Sequence, residues 1–140
     1  MELTTSPIFQ SAVYRTEAPQ YLDLVNKICD PFIVEAKKRT APQIVSREAK
    51  AGKDIGDIGL SYHTENLIND ATLYQFRRFI KSTSENILDS QGYDMTNYNL
   101  EYTEMWCQEF ASQGGGHHDT HIHWNNHISG FYFLKCSDKT

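Results

Sequence analysis

Five of the chain's six histidines fall between His117 and His127, inside the stretch GGGHHDTHIHWNNHISGFYFLK, Gly114 to Lys135. In an extended strand, side chains at i and i+2 share a face. His117, Asp119, His121 and His123 would then point to one side. Imidazole nitrogen together with carboxylate oxygen suits Fe(II), Mn(II) or Zn(II). His117-His118-Asp119 supplies an H-x-D pair, His121-Ile122-His123 supplies an H-x-H pair, and Asp119 with His121 is a mixed alternative. Two ligands from one strand and a third from a distant strand make a facial set with open positions. Without a metal, the same residues read as a polar, pH-responsive hairpin.

The residues around this stretch read more plainly. His63, alone in SYHTEN, reads as a surface or capping residue. Gly114 to Gly116 would cradle a phosphate only if a helix N-terminus followed. A strand is expected instead, so the glycines read as a flexible lead into it. Tyr102, Trp106, Trp124 and Tyr132 are candidates for a pocket wall or for core packing. No G-x-S-x-G elbow exists, and no cysteine has a local nucleophile motif.

The elements that must position these side chains give an α+β order, helices first and an antiparallel sheet late. Ile8 to Tyr14 reads as an opening strand. A helix is expected from about Ala18, with Leu22, Val25, Ile28, Cys29 and Phe32 on one apolar face. Pro31 should kink or split it, and Lys37-Lys38-Arg39 should form its solvated end. Residues 40 to 61 read as a long loop, followed by a short helix over Thr64 to Ile68. The clearest helix runs from an Asp70 N-cap to about Ser90, with Gly92 as the stop. Its buried stripe is Leu73, Phe76, Ile80, Ile87 and Leu88. Strands are expected over Tyr98 to Phe110, Asp119 to Trp124 and Ile128 to Cys136, with a turn at Asn125-Asn126. The chain thus reads as a single domain, 1–140, helical over about 1–92 and β over about 97–140. It ends at Thr140, soon after the third strand of the late sheet, so the expected sheet is incomplete and has open edges.

Composition sets further bounds. A formal net charge of -5 gives no broad basic field for phosphate backbones, which disfavours nucleic acid as a partner. No apolar run reaches the ~18 residues that a membrane span needs, and the N-terminus lacks the basic and apolar regions of a secretory signal. Cys29, Cys107 and Cys136 are odd in number and far apart, which suits reduced, mostly buried thiols in a cytoplasm.

One family resemblance lies in these residues. Trp106, Gly114-Gly115, His121-Ile122-His123 and Ser129-Gly130-Phe131-Tyr132-Phe133-Leu134 follow in an order that resembles the Fe(II)/2-oxoglutarate-dependent oxygenase superfamily. The pattern is closest to oxygenases of marine bacteria and of cyanobacterial viruses, and the wording HIHWNNHISGFYFLK is particularly similar to the viral members. The resemblance spans nearly the whole chain, although its specific part covers only about thirty residues. It implies a double-stranded β-helix (jelly roll) preceded by helices. It also implies Fe(II) on an H-x-D/E pair plus a distal histidine, with a distal arginine or lysine holding 2-oxoglutarate. Such enzymes convert 2-oxoglutarate and oxygen to succinate and carbon dioxide while hydroxylating a C–H bond.

The sequence departs from that pattern downstream. After Leu134 only Lys135 and Lys139 are basic, no histidine follows, and neither lysine lies far enough along to be the distal base. The chain therefore resembles the N-terminal two-thirds of such an oxygenase, with one half of the metal site. Spacing to the S-G-x-Y strand favours His121 and His123; the superfamily's carboxylate favours His117 and Asp119. Two other expectations stand beside this one. The chain could be a non-enzymatic viral interaction module whose sheet is completed by another copy or another chain, or a zinc-binding histidine-rich hairpin. The expected location is the cytoplasm, that of the host if the protein is viral.

Overall fold

The computed structural model describes residues 11–136. The fold is α+β, with two long helices and a small two-stranded antiparallel sheet. Helix α1 spans Leu22–Ala51 and helix α2 spans Tyr74–Ser90. Strand β1, Ser61–His63, pairs antiparallel with strand β2, Gln108–Phe110.

Helix α1 is entered through a single 3-10 turn, Pro19–Tyr21, where proline suits the first position. It buries Val25, Cys29, Ile33 and Ala36, a three- and four-residue spacing that draws one face onto the core. The break expected at Pro31 does not occur. Pro31 and Pro42 both lie inside the helix on its exposed side, so their rings meet solvent while the opposite face stays packed. The helix also absorbs most of the loop expected over 40 to 61, where Ala, Gln, Arg, Glu and Lys are strong helix formers. It ends at Gly52, whose φ of 64° is a left-handed cap and whose N–H bonds Glu48 O at 2.9 Å.

Because α1 runs on, Lys37 and Arg39 sit in mid-helix rather than at a solvated end. Lys37 pairs with Glu109 on β2 and lies over the Tyr62 ring, and Arg39 donates to His63 O at 3.3 Å. These bonds hold the inner face of the sheet against α1. Helix α2 starts as expected: Asp70 Oδ1 accepts from Thr72 N at 2.9 Å, and a 3-10 turn over Ala71–Leu73 leads in. Leu73, Phe76 and Leu88 are buried along it, and Ile80 and Ile87 are half-buried. Val25, Cys29, Leu67, Leu73 and Phe76 form the central core cluster.

The late β region differs most from expectation. Of Tyr98 to Phe110 only Gln108–Phe110 is strand, and the partner is the earlier segment Ser61–His63 rather than a following strand. Neither Asp119 to Trp124 nor Ile128 to Cys136 forms a strand, and Thr64 to Ile68 is not helical. Two-residue alternation survives without strand pairing: Tyr132 and Leu134 pack onto the core while Phe131 and Phe133 are 84% and 76% exposed. The opening strand expected over Ile8 to Tyr14 falls partly outside the described residues, and residues 11–14 are not strand. No described helix is long and apolar enough to cross a membrane.

Candidate metal centre

The sheet is two-faced. Tyr62 and Glu109 look inward to α1, while Ser61 and His63 pair across to Phe110 and Gln108 on the outer face. Backbone bonds extend the pairing beyond the strands, from Gly59 N to Gly114 O (2.9 Å) at one end to Leu67 N to Met105 O (2.6 Å) at the other. After Gly114 the chain turns back across this outer face, and Ser61 Oγ donates to His117 O at 2.8 Å.

The turn itself is held by one carboxylate. Asp57 accepts from Ser112 N (3.0 Å), Gln113 N (3.3 Å), Ser112 Oγ and Tyr62 Oη (3.1 Å). Burial alone would push this carboxyl up, but the four donors outweigh burial and hold it below the usual carboxylate range. The Tyr62 phenol is pushed up, first by burial and then by its bond to Asp57. Gly114 and Gly115 have φ of 91° and 73°, so the turn needs glycine at both positions.

The returning segment builds an open cleft of about 380 Å³ lined by His63, Glu104, Trp106, His118, His121, Ile122, His123, Trp124 and Asn126. Trp106 forms its floor between two imidazoles. The His63 ring centroid lies 4.0 Å from that of Trp106, and His118 stacks nearly parallel to the indole at 5.7 Å. His118 and His121 centroids are 4.4 Å apart, and those of His121 and His123 are 4.7 Å apart. His121 Nε2 and His123 Nε2 are separated by 3.0 Å.

The four expected ligands divide into two pairs. His121 and His123 come together at the cleft. His117 and Asp119 meet each other, Nε2 to Oδ1 3.2 Å, with side chains 70% and 95% exposed and no part in lining the cleft. A shared face for all four does not form, because the segment is not a regular strand. Asn125, φ 59°, makes the expected turn, starting one residue early at Trp124. His127 packs edge-on against Tyr93, 5.7 Å between centroids.

Of the four pocket-wall candidates Trp106 and Trp124 line the cleft. The Tyr102 hydroxyl donates to Arg77 O, and Tyr132 packs on Phe76 and donates to Ala18 O at 2.6 Å. Lys135 pairs with Asp30 on α1 at 2.6 Å, and Lys139 lies outside the described residues. Sequence reasoning misses five cleft residues: His63, Glu104, His118, Ile122 and Asn126. Strand parity points His118 to the opposite face, and His63 reaches the site only through cross-strand pairing, for which one sequence carries no local signal.

Neutral imidazoles fit a borderline divalent ion, and two nitrogens on adjacent sites of one ion at ~2.0–2.1 Å lie ~3.0–3.4 Å apart. The His121–His123 separation of 3.0 Å matches that spacing. Among the described residues no three His, Cys, Asp or Glu side chains converge into a ready-made metal group. The pair therefore offers two coordination positions. The three cysteines take no part: Cys29 is buried, Cys107 half-buried and Cys136 exposed, all as free thiols. The hydrogen bond with Cys107, then burial, pushes the Cys29 thiol up. No family model, curated protein or solved structure matches the chain.

Proposed function

We propose that the chain carries part of the iron site of an Fe(II)/2-oxoglutarate-dependent oxygenase acting by oxidative hydroxylation, with His121 and His123 as metal ligands. The observation that supports this is their Nε2–Nε2 separation of 3.0 Å at the mouth of an open cleft. His117 and Asp119, the alternative pair, are turned to each other in solvent. Fe(II) would supply the oxygen chemistry, with Trp106 forming the floor beside it. The jelly roll that the resemblance implies, with a basic residue to hold 2-oxoglutarate, belongs to the same proposal. So does a cytoplasmic setting, that of the host if the protein is viral, in which free thiols persist.

Anaerobic calorimetric titration with Fe(II), or with Mn(II) in air, tests the assignment. Metal binding should weaken at least about tenfold in H121A and in H123A and be unchanged in D119A. Adding 2-oxoglutarate should tighten metal binding if the cosubstrate shares the ion. Unchanged metal affinity in H121A and H123A would sink the proposal.

A second reading rests on a different observation. Phe131 and Phe133 face outward, 84% and 76% exposed, on a segment without a strand partner among the described residues. A second copy, or another chain adding a strand there, would bury both rings. Light scattering at micromolar concentration decides it: an assembly that F131S/F133S dissolves supports the reading, and a monomer removes it.

A further inference from the structure

Two imidazoles leave a divalent ion short of the three protein ligands that an open site uses. A third imidazole, His118, lies edge-on to His121 in the same cleft. In a regular strand its position would face away from His121 and His123; the irregular backbone between Gly116 and Trp124 brings it to their side.

The hydrogen bonds of these rings show which nitrogen each presents. His121 Nδ1 lies 2.8 Å from Asp119 O, and His118 Nδ1 lies 3.1 Å from Gln108 Oε1. Both partners are oxygens that accept, so each Nδ1 donates and Nε2 is the nitrogen left to offer a metal a lone pair. Metal sites use this arrangement to fix the tautomer of a ligating histidine. His123 Nε2 then donates to His121 Nε2 across 3.0 Å, and moving that hydrogen to Nδ1 would free a second lone pair beside the first.

Ring spacing agrees with the tautomers. Imidazoles bound at ~2.0–2.1 Å to one ion have centroids ~4.5–5 Å apart. The two separations here are 4.4 Å and 4.7 Å. The rings as placed do not yet converge on one point, so closure requires the exposed His118 ring to turn toward the pair.

We propose that His118 is the third protein ligand of a three-imidazole site with His121 and His123, and that Gln108 is the positioning residue that sets its ligating nitrogen. This rests on the metal reading of the His121–His123 pair. A set of three neutral nitrogens favours Zn(II), Co(II), Ni(II) or Fe(II) over Mg(II) and Ca(II).

The test is titration of the 140-residue chain with Zn(II) and with Co(II), Mg(II) serving as a control, alongside the imidazole ¹⁵N spectrum. H118A and H121A should each weaken Zn(II) binding about tenfold or more, and Q108L by roughly 10–100-fold. H117A should change it less than about twofold, since a solvent-facing charge partner contributes little. In the unmutated chain Zn(II) should move the Nε2 resonance of His118 together with those of His121 and His123. If H121A loses binding while H118A retains it and the His118 resonance stays still, the third ligand is elsewhere and only the pair survives. If H121A also binds normally, the metal reading itself falls. Loss in H118A without loss in Q108L removes the positioning role of Gln108.

Discussion

The imidazole of His63 packs on the indole of Trp106, ring centroids 4.0 Å apart, and thereby joins the first strand to the floor of the cleft. The chain has two tryptophans, Trp106 and Trp124, and both line that cleft. Intrinsic fluorescence is therefore a direct reporter of events there. Adding Ni(II) or Cu(II) should quench the tryptophan emission in the unmutated chain and in W124F, where that emission comes from Trp106 alone. The quenching should vanish in H121A. Quenching that persists in H121A would place the ion somewhere else.

Asp57 holds the turn that brings the histidines back over the sheet. Burial raises its pKa, and the bonds from Ser112, Gln113 and Tyr62 together outweigh burial, for a net pKa below the usual range. A depressed folded-state pKa means that the contribution to stability is complete above the unfolded carboxylate pKa of about 3.9. It is lost as pH falls through the lower folded value. D57N keeps the shape but replaces the charged acceptor, so it should cost about 1–2 kcal/mol near neutrality, solvent screening holding the loss to the lower part of the usual range. In urea titrations the gap between the two proteins should close as pH falls below the unfolded carboxylate pKa of about 3.9. A gap that widened in acid would reverse the assigned sign.

Much of the helical half was legible in the sequence, and the reason is local. Asp70, Leu73, Phe76 and Leu88 carry their cap and their spacing within one segment, and all fall where expected. Helix α1 was legible in its buried face but not in its length, because proline is a local signal and Ile33 and Ala36 override it through tertiary packing. The β half was legible only as alternation. Phe131 to Leu134 alternate as a strand would, yet strand pairing depends on a partner distant in sequence. The site followed the same division. His121 and His123 were found by spacing, whereas His63 and Gln108 reach it through the register that starts with Ser61 opposite Phe110.

The prolines of α1 give a stability prediction that depends on the helix being continuous. Each removes a backbone donor from the helix interior, a loss of roughly 3 kcal/mol relative to alanine in an unstrained helix. Pro31 and Pro42 are both exposed, so alanine meets no packing conflict. P31A and P42A should each stabilise the protein by about 1–3 kcal/mol, raising the urea midpoint without changing the slope. A lower midpoint in P31A would mean that the helix needs its proline there, as a kinked or divided helix would.

Gly116 couples the stability of the turn to the metal centre. A Cβ at this position would lie 2.8 Å from Leu60 O and 2.9 Å from Phe110 Cβ. Leu60 O cannot withdraw freely, because it accepts the Ala111 N–H at 2.9 Å in the extended ladder. G116A should therefore cost about 1–3 kcal/mol through overpacking. The next residue, His117, is tied to Ser61, so the displacement passes into the segment that carries His118, His121 and His123. Zn(II) affinity should fall along with stability. Gly130 is the control: it lies past the cleft, and a Cβ added there would meet no atom within 4 Å. G130A should change stability by less than about 0.5 kcal/mol and leave Zn(II) binding unaltered. If G116A bound Zn(II) as tightly as the unmutated chain while losing stability, the turn would hold the fold without positioning the histidines.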